Sequence, residues 1–253
     1  MGGLSHYLER AGFATAGISL IRLHSEKIKP PRALWVPFEL GRPLGIPHDA
    51  DFQARVLQKL IDLFDYSEGP VLADYPEDAP VSGANDIDGL VCPVQFDASN
   101  TGDETLEMAV IREISELLPW YDLACKRRKR TTVGVTGLEI EEVARTLAKW
   151  LTPSPPEVAV NTHTPAAMLK LAVEDLRAFY FEATAGQPLG DSISSKQLDD
   201  WFWSETSAAK LLLALRERLI PDEDPALRML GHNSVVPREQ WTRFGIDDRW
   251  WKD

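Results

Sequence analysis

The stretch ELGRPLGIPHDAD, residues 39–51, brings together groups suited to holding a small anion. Arg42 offers paired N–H donors to a carboxylate or phosphate. Gly41 and Gly45 let backbone approach a ligand closely, while Pro43 and Pro47 stiffen the loop between them. His48 stands where it could donate or accept a proton near neutral pH. Asp49 and Asp51 work against this, because carboxylates at a helix cap compete with an anion for the same amides. The same residues also read as punctuation, with prolines and glycines stopping one element and starting the next.

Two cysteines are the other reactive groups. Cys92, in GLVCPVQF, is the candidate nucleophile beside His48 as proton carrier. A reactive thiolate needs a helix N-terminus or a nearby cation; GLVCPVQF shows neither, so a small buried hydrophobe is the competing reading. Cys125 immediately precedes the run KRRKR, Lys126 to Arg130. That run and the following TTVGVTG form a second possible anion cradle, a turn opening a helix. It lacks the GxxxxGK[ST] spacing of a phosphate loop. Glu174, Glu182 and Glu205 lie on expected long helices and His163 precedes one. The Glu-x-x-His spacing of a di-iron bundle is missing, so no metal is expected. The residues name no cofactor.

Composition narrows the class. A net charge of −12 argues against general nucleic-acid binding, which needs a basic face. There is no apolar run of membrane-spanning length and no basic-then-apolar leader pattern. Two isolated cysteines in 253 residues fit a reduced, cytoplasmic protein.

The elements that must position these groups follow from pattern. LSHYLERAG reads as a helix closed by Gly12. FATAGISLI, RALWVPF and GPVLADYP read as short buried strands, with a possible short helix in SEKIKPP. Phe52, Val56, Leu57, Leu60, Ile61 and Phe64 recur at helical spacing behind Asp49 or Asp51 as cap. The expected fold is α/β, a small mostly parallel sheet over residues 1–98. A largely helical region, 99–253, is expected to pack on it. There, a helix from Leu106 is interrupted at Pro119, and WYDLACKRRKR continues helically to a basic end. Thr136-x-x-Glu139 reads as a capping box for the helix holding Ile140, Val143 and Leu147. Thr164-Pro165 opens a helix to about Ala185, and a capping box at Ser194 opens one running to Leu219. Asp224-Pro225 starts a short helix that Gly231 closes. Trp201, Phe202 and Trp203 are consecutive, so at least one ring should face away from the core and mark a subunit or ligand contact. A homodimer or a heteromeric protein partner is therefore expected, with no nucleic acid and no membrane.

Over residues 4–75 the chain resembles the C-terminal part of the substrate-specific B component of the glycine, sarcosine, betaine and D-proline reductases. Gly12, Pro37, Gly41, Pro43, Leu44, Gly45 and Pro47 fall on that family's pattern of turn, strand and P-PLG-P loop opening a helix. The resemblance implies a shared α/β module with its anion-binding loop; within that loop Gly41 and Gly45 fall on the family pattern, and Arg42, read from its own chemistry, completes the expected ligand residues. The family's redox selenocysteine or cysteine segment lies upstream of the matched stretch. The implied role is a substrate-binding or accessory subunit of an oxidoreductase system acting on a small carboxylated amine. An autonomous enzyme on a small anionic substrate and a non-catalytic interaction protein are the alternatives.

Overall fold

The computed structural model describes residues 2–47, 49–79, 96, 104–152, 164–188, 193 and 195–247. The chain divides into two compact units, Met1–Ile87 and Asp88–Asp253.

In the first unit, β1 (Gly17–Ser19), β2 (Arg32–Trp35) and β3 (Val71–Asp74) form a parallel sheet in the order β1-β2-β3. Parallel neighbours need crossover connections, and these are α2 (Arg22–Ile28) and α3 (Ala50–Ile61), the latter prolonged by the 3-10 turn Asp62–Asp65. Ahead of β1 lies α1 (Gly2–Arg10). It ends as its sequence predicts: Gly12 takes φ +89, its N–H donates to the Glu9 carbonyl, and the Phe13 N–H donates to Leu8. Leu34, Val36, Phe38, Phe52, Val56, Leu63 and Tyr75 form this unit's core. Arg32, buried in β2, ties it together by donating to Glu9 of α1 and to the Tyr66 carbonyl.

Among the described residues the second unit is helical: α4 (Leu106–Arg128), α5 (Ile140–Lys149), α6 (Pro165–Gly186), α7 (Ser195–Glu205), α8 (Ser207–Leu219) and α9 (Pro225–Asn233). The small sheet followed by helices is the expected α/β class. Several expectations in this unit need correction.

The helix at Leu106 is not interrupted at Pro119 but continues to Arg128. Pro119 is exposed, so water can satisfy the carbonyl it leaves free, while Ile114 and Leu117 stay in the core. The helix expected from Ser195 to Leu219 breaks at Thr206, whose hydroxyl accepts from the Ala209 N–H at 3.0 Å and caps α8. Gly231 does not close α9; it lies inside it, where a Cβ would stand 2.9 Å from that of Leu219. Trp201, Phe202 and Trp203 are all buried, at 4%, 0% and 3% exposure. Three successive positions cover more than half of a helix's circumference, so α7 is covered on two sides. Tyr180 and Phe181 of α6 meet Phe202, and Phe244 meets Trp203. The aromatic argument for a subunit contact falls with that burial. Ser194, the other expected cap, lies outside the described residues.

Candidate functional site

The loop after β2 reaches the carboxyl end of the sheet, where open α/β sheets bind ligands. Its two glycines are required by conformation. Gly41 has φ +90 and Gly45 φ +80, and a Cβ on Gly45 would stand 2.5 Å from the Phe52 ring. Two turns close it, the Arg42 N–H donating to Glu39 and the Gly45 N–H to Arg42, each at 3.0 Å. Asp49 caps α3, its carboxylate accepting from the Phe52 N–H at 2.9 Å. The competition anticipated between cap and anion is therefore realised at that amide. Arg42 is half exposed and faces Glu39 at 3.5 Å, a pairing weak enough for a ligand to displace. The structure thus gathers Gly41, Arg42 and Gly45 into one loop. His48 and Cys92 lie outside the described residues.

Two groups beside this loop were not singled out by the sequence. Tyr75 follows β3 directly, its N–H donating to the Trp35 carbonyl at 2.8 Å. Its ring sits edge-on to Phe38 and Phe52, and the residue is 4% exposed. Its hydroxyl proton has no acceptor among the described residues. The hydroxyl oxygen lies within hydrogen-bonding reach of the Arg55 guanidinium, which covers the Phe52 ring at 5.2 Å and meets Glu77 at 3.4 Å. The signal available was position: a tyrosine just past a parallel strand, and an arginine in the second turn of the helix that precedes that strand. At the same end, Arg22 of α2 reaches both oxygens of Asp74, at 3.2 and 3.3 Å.

The second cradle does hold an anion, but the anion belongs to the protein. Asp175 of α6, fully buried, accepts from the Gly134 and Val135 N–H groups through Oδ1, at 2.7 and 3.0 Å. Its Oδ2 accepts from the Thr136 N–H at 2.9 Å and hydroxyl at 2.6 Å. Glu182, two turns along α6, accepts from both the N–H and hydroxyl of Thr132 at 2.7 Å. The Thr136 capping box is not formed: the hydroxyl donates to Asp175 and accepts from the Leu138 N–H at 3.2 Å, and Glu139 is the N-cap residue, without a side-chain cap bond. Lys126 to Arg130 are exposed at the end of α4, where cations complement the helix dipole. Beside them Cys125 is half-buried, and burial pushes the Tyr121 phenol up to about 12.

A second buried carboxylate, Glu113 of α4, sits under the break between α7 and α8. It accepts from the Ser207 N–H and the Tyr180 hydroxyl, both at 2.7 Å. Burial pushes its carboxyl above the ordinary range. Among the described residues no cluster of three or more His, Cys, Asp or Glu is placed to hold a metal ion, and no helix is long and apolar enough to cross a membrane.

No protein-family model matches the chain, and comparison with curated proteins and with solved structures gives no significant match.

Proposed function

We propose that the chain is a substrate-binding or accessory subunit of an oxidoreductase system acting on a small carboxylated amine, as the resemblance over residues 4–75 implies. The ligand carboxylate is taken at the carboxyl end of the sheet, by the Tyr75 hydroxyl, Arg55 and the loop of Gly41, Arg42 and Gly45. The Tyr75 hydroxyl carries this reading. A buried donor without an acceptor costs about 1–3 kcal/mol, and a ligand oxygen at that point recovers it. Arg55 and Arg42 each hold only a half-exposed carboxylate, so both are available to a ligand. The redox step belongs to a separate partner protein, which makes association with that partner part of the proposal. The acidic, cysteine-poor chain fits a reducing cytoplasm.

The test is a thermal-shift series with glycine, sarcosine, betaine, D-proline, acetate and phosphate on native, Tyr75→Phe, Arg55→Ala and Arg42→Ala proteins. Tyr75→Phe should change the stability of the ligand-free protein by no more than about 1 kcal/mol, yet lose the ligand shift. Arg55→Ala should lose it too. A panel without effect on native protein, or a shift unchanged by Tyr75→Phe, refutes the proposal.

A further inference from the structure

A separate cavity of about 280 Å³ lies in the first unit between β1, α1 and α2. Its polar end is a pair of hydroxyls. Ser25, 7% exposed, donates to Ser19 Oγ at 2.6 Å, and Ser19 donates to the Ile21 carbonyl at 3.1 Å. Each hydroxyl carries one proton and two lone pairs. Both protons are spent, so this end of the cavity offers acceptors. Arg32 also lines the cavity but is engaged by Glu9 and the Tyr66 carbonyl. Among the described residues no carboxylate lines it, and apart from Arg32 the one titratable lining group is His24. Apart from Ser5 the remaining described wall is apolar, and three of its residues, Ile21, Ile28 and Leu40, are exposed at 40%, 48% and 73%. That is apolar surface which an occupant would cover.

We propose that this cavity binds a small uncharged hydroxylic molecule, a compact alcohol or phenol. Its O–H donates to the Ser19–Ser25 pair while its body covers Ile21, Ile28 and Leu40. The volume is near the lower end of the range for small-molecule pockets, roughly 300–1,000 Å³, which limits the ligand to one ring or a short branched chain. The site stands independently of the carboxylate reading, since it uses none of Tyr75, Arg55 or Arg42.

Gly17 supplies the decisive variant. It lines the cavity, its φ is not positive, and a Cβ there would meet no atom within 4 Å. Strand alternation puts it on the same side of β1 as Ser19, whose hydroxyl bonds Ser25 of α2. Gly17→Val therefore fills the cavity without backbone strain and suits a strand. The experiment titrates the full chain with phenol and isobutanol, with benzoate as the charged control, following amide NMR shifts. Saturable shifts at Ser19 and Ser25 should appear with phenol or isobutanol. Benzoate should bind at least about tenfold more weakly, a difference of about 1.4 kcal/mol. Gly17→Val should abolish binding without lowering the melting temperature. Gly17→Ala, a smaller plug, should weaken it and guards against a misfolded valine variant. Absence of saturable shifts with both neutral probes, equal binding of benzoate, or binding unchanged in Gly17→Val and Gly17→Ala overturns the proposal.

Discussion

Asp175→Asn isolates the carboxylate that fills the second cradle. Three of the four donors that surround Asp175 are backbone N–H groups and the fourth is the Thr136 hydroxyl. An asparagine can turn its NH₂ toward Thr136, whose hydroxyl can rotate to accept, but the Thr136 N–H then faces a donor and at least one hydrogen bond to a charged group is lost. With Asp175 fully buried water cannot substitute, and a loss of about 2–3 kcal/mol is expected. For a unit of this size each kcal/mol moves the melting temperature by about 2–4 °C, so a fall of roughly 4–12 °C is expected by calorimetry. Glu182→Gln, at a more open position, should cost no more than about 1 kcal/mol, because water can replace the lost contacts. If Asp175→Asn melts within about 2 °C of the native protein, the cradle is not what holds the 131–137 loop.

Gly45→Ala should destabilise the first unit by about 2 kcal/mol or more, measured by urea unfolding, because it combines a positive φ with a clash against Phe52. Thr206→Ala removes the α8 cap and should cost about 1–2 kcal/mol by the same assay. Glu113 predicts a pH effect. Its folded value is raised by burial, so its contribution is fully present below the unfolded value of about 4.3 and is lost as pH rises through the folded value. Glu113→Gln should therefore flatten the stability profile across that window, while lowering stability at pH 7 by about 1–3 kcal/mol as the amide meets donors; an unchanged slope refutes the assignment.

The first unit was largely legible because its signals are local. Gly12 closes α1, Asp49 caps α3, and the apolar runs at 17–19, 32–35 and 71–74 are the strands. What escaped the sequence depends on partners distant in the chain. Thr136-x-x-Glu139 has the spacing of a capping box, but the threonine hydroxyl turns its proton to a carboxylate 39 residues away and accepts from the Leu138 N–H. The break at Thr206 was signalled by Ser204, Thr206 and Ser207 crowded inside one helical pattern, yet it is stabilised by Glu113, 94 residues from Ser207. Trp201 to Trp203 could not be placed from α7 alone, since burial of all three rings depends on α6 and on Phe244. At the candidate site, Gly41, Arg42 and Gly45 were visible as a loop composition. Tyr75 and Arg55 become meaningful only once β3 is laid beside β2.

The loop from Thr131 to Gly137 carries a practical consequence. By composition it is an obvious place to cut, tag or insert, being rich in threonine and glycine between two helices. Its amides at Thr132, Gly134, Val135 and Thr136 are nevertheless held by carboxylates of α6. Those of Gly134, Val135 and Thr136, held by buried Asp175, should exchange with solvent only when α6 itself opens, so this part of the segment shares the cooperative unit of the bundle. A fusion partner or protease site placed there would unseat four amides at once and fold poorly, whatever the flexibility of the inserted linker.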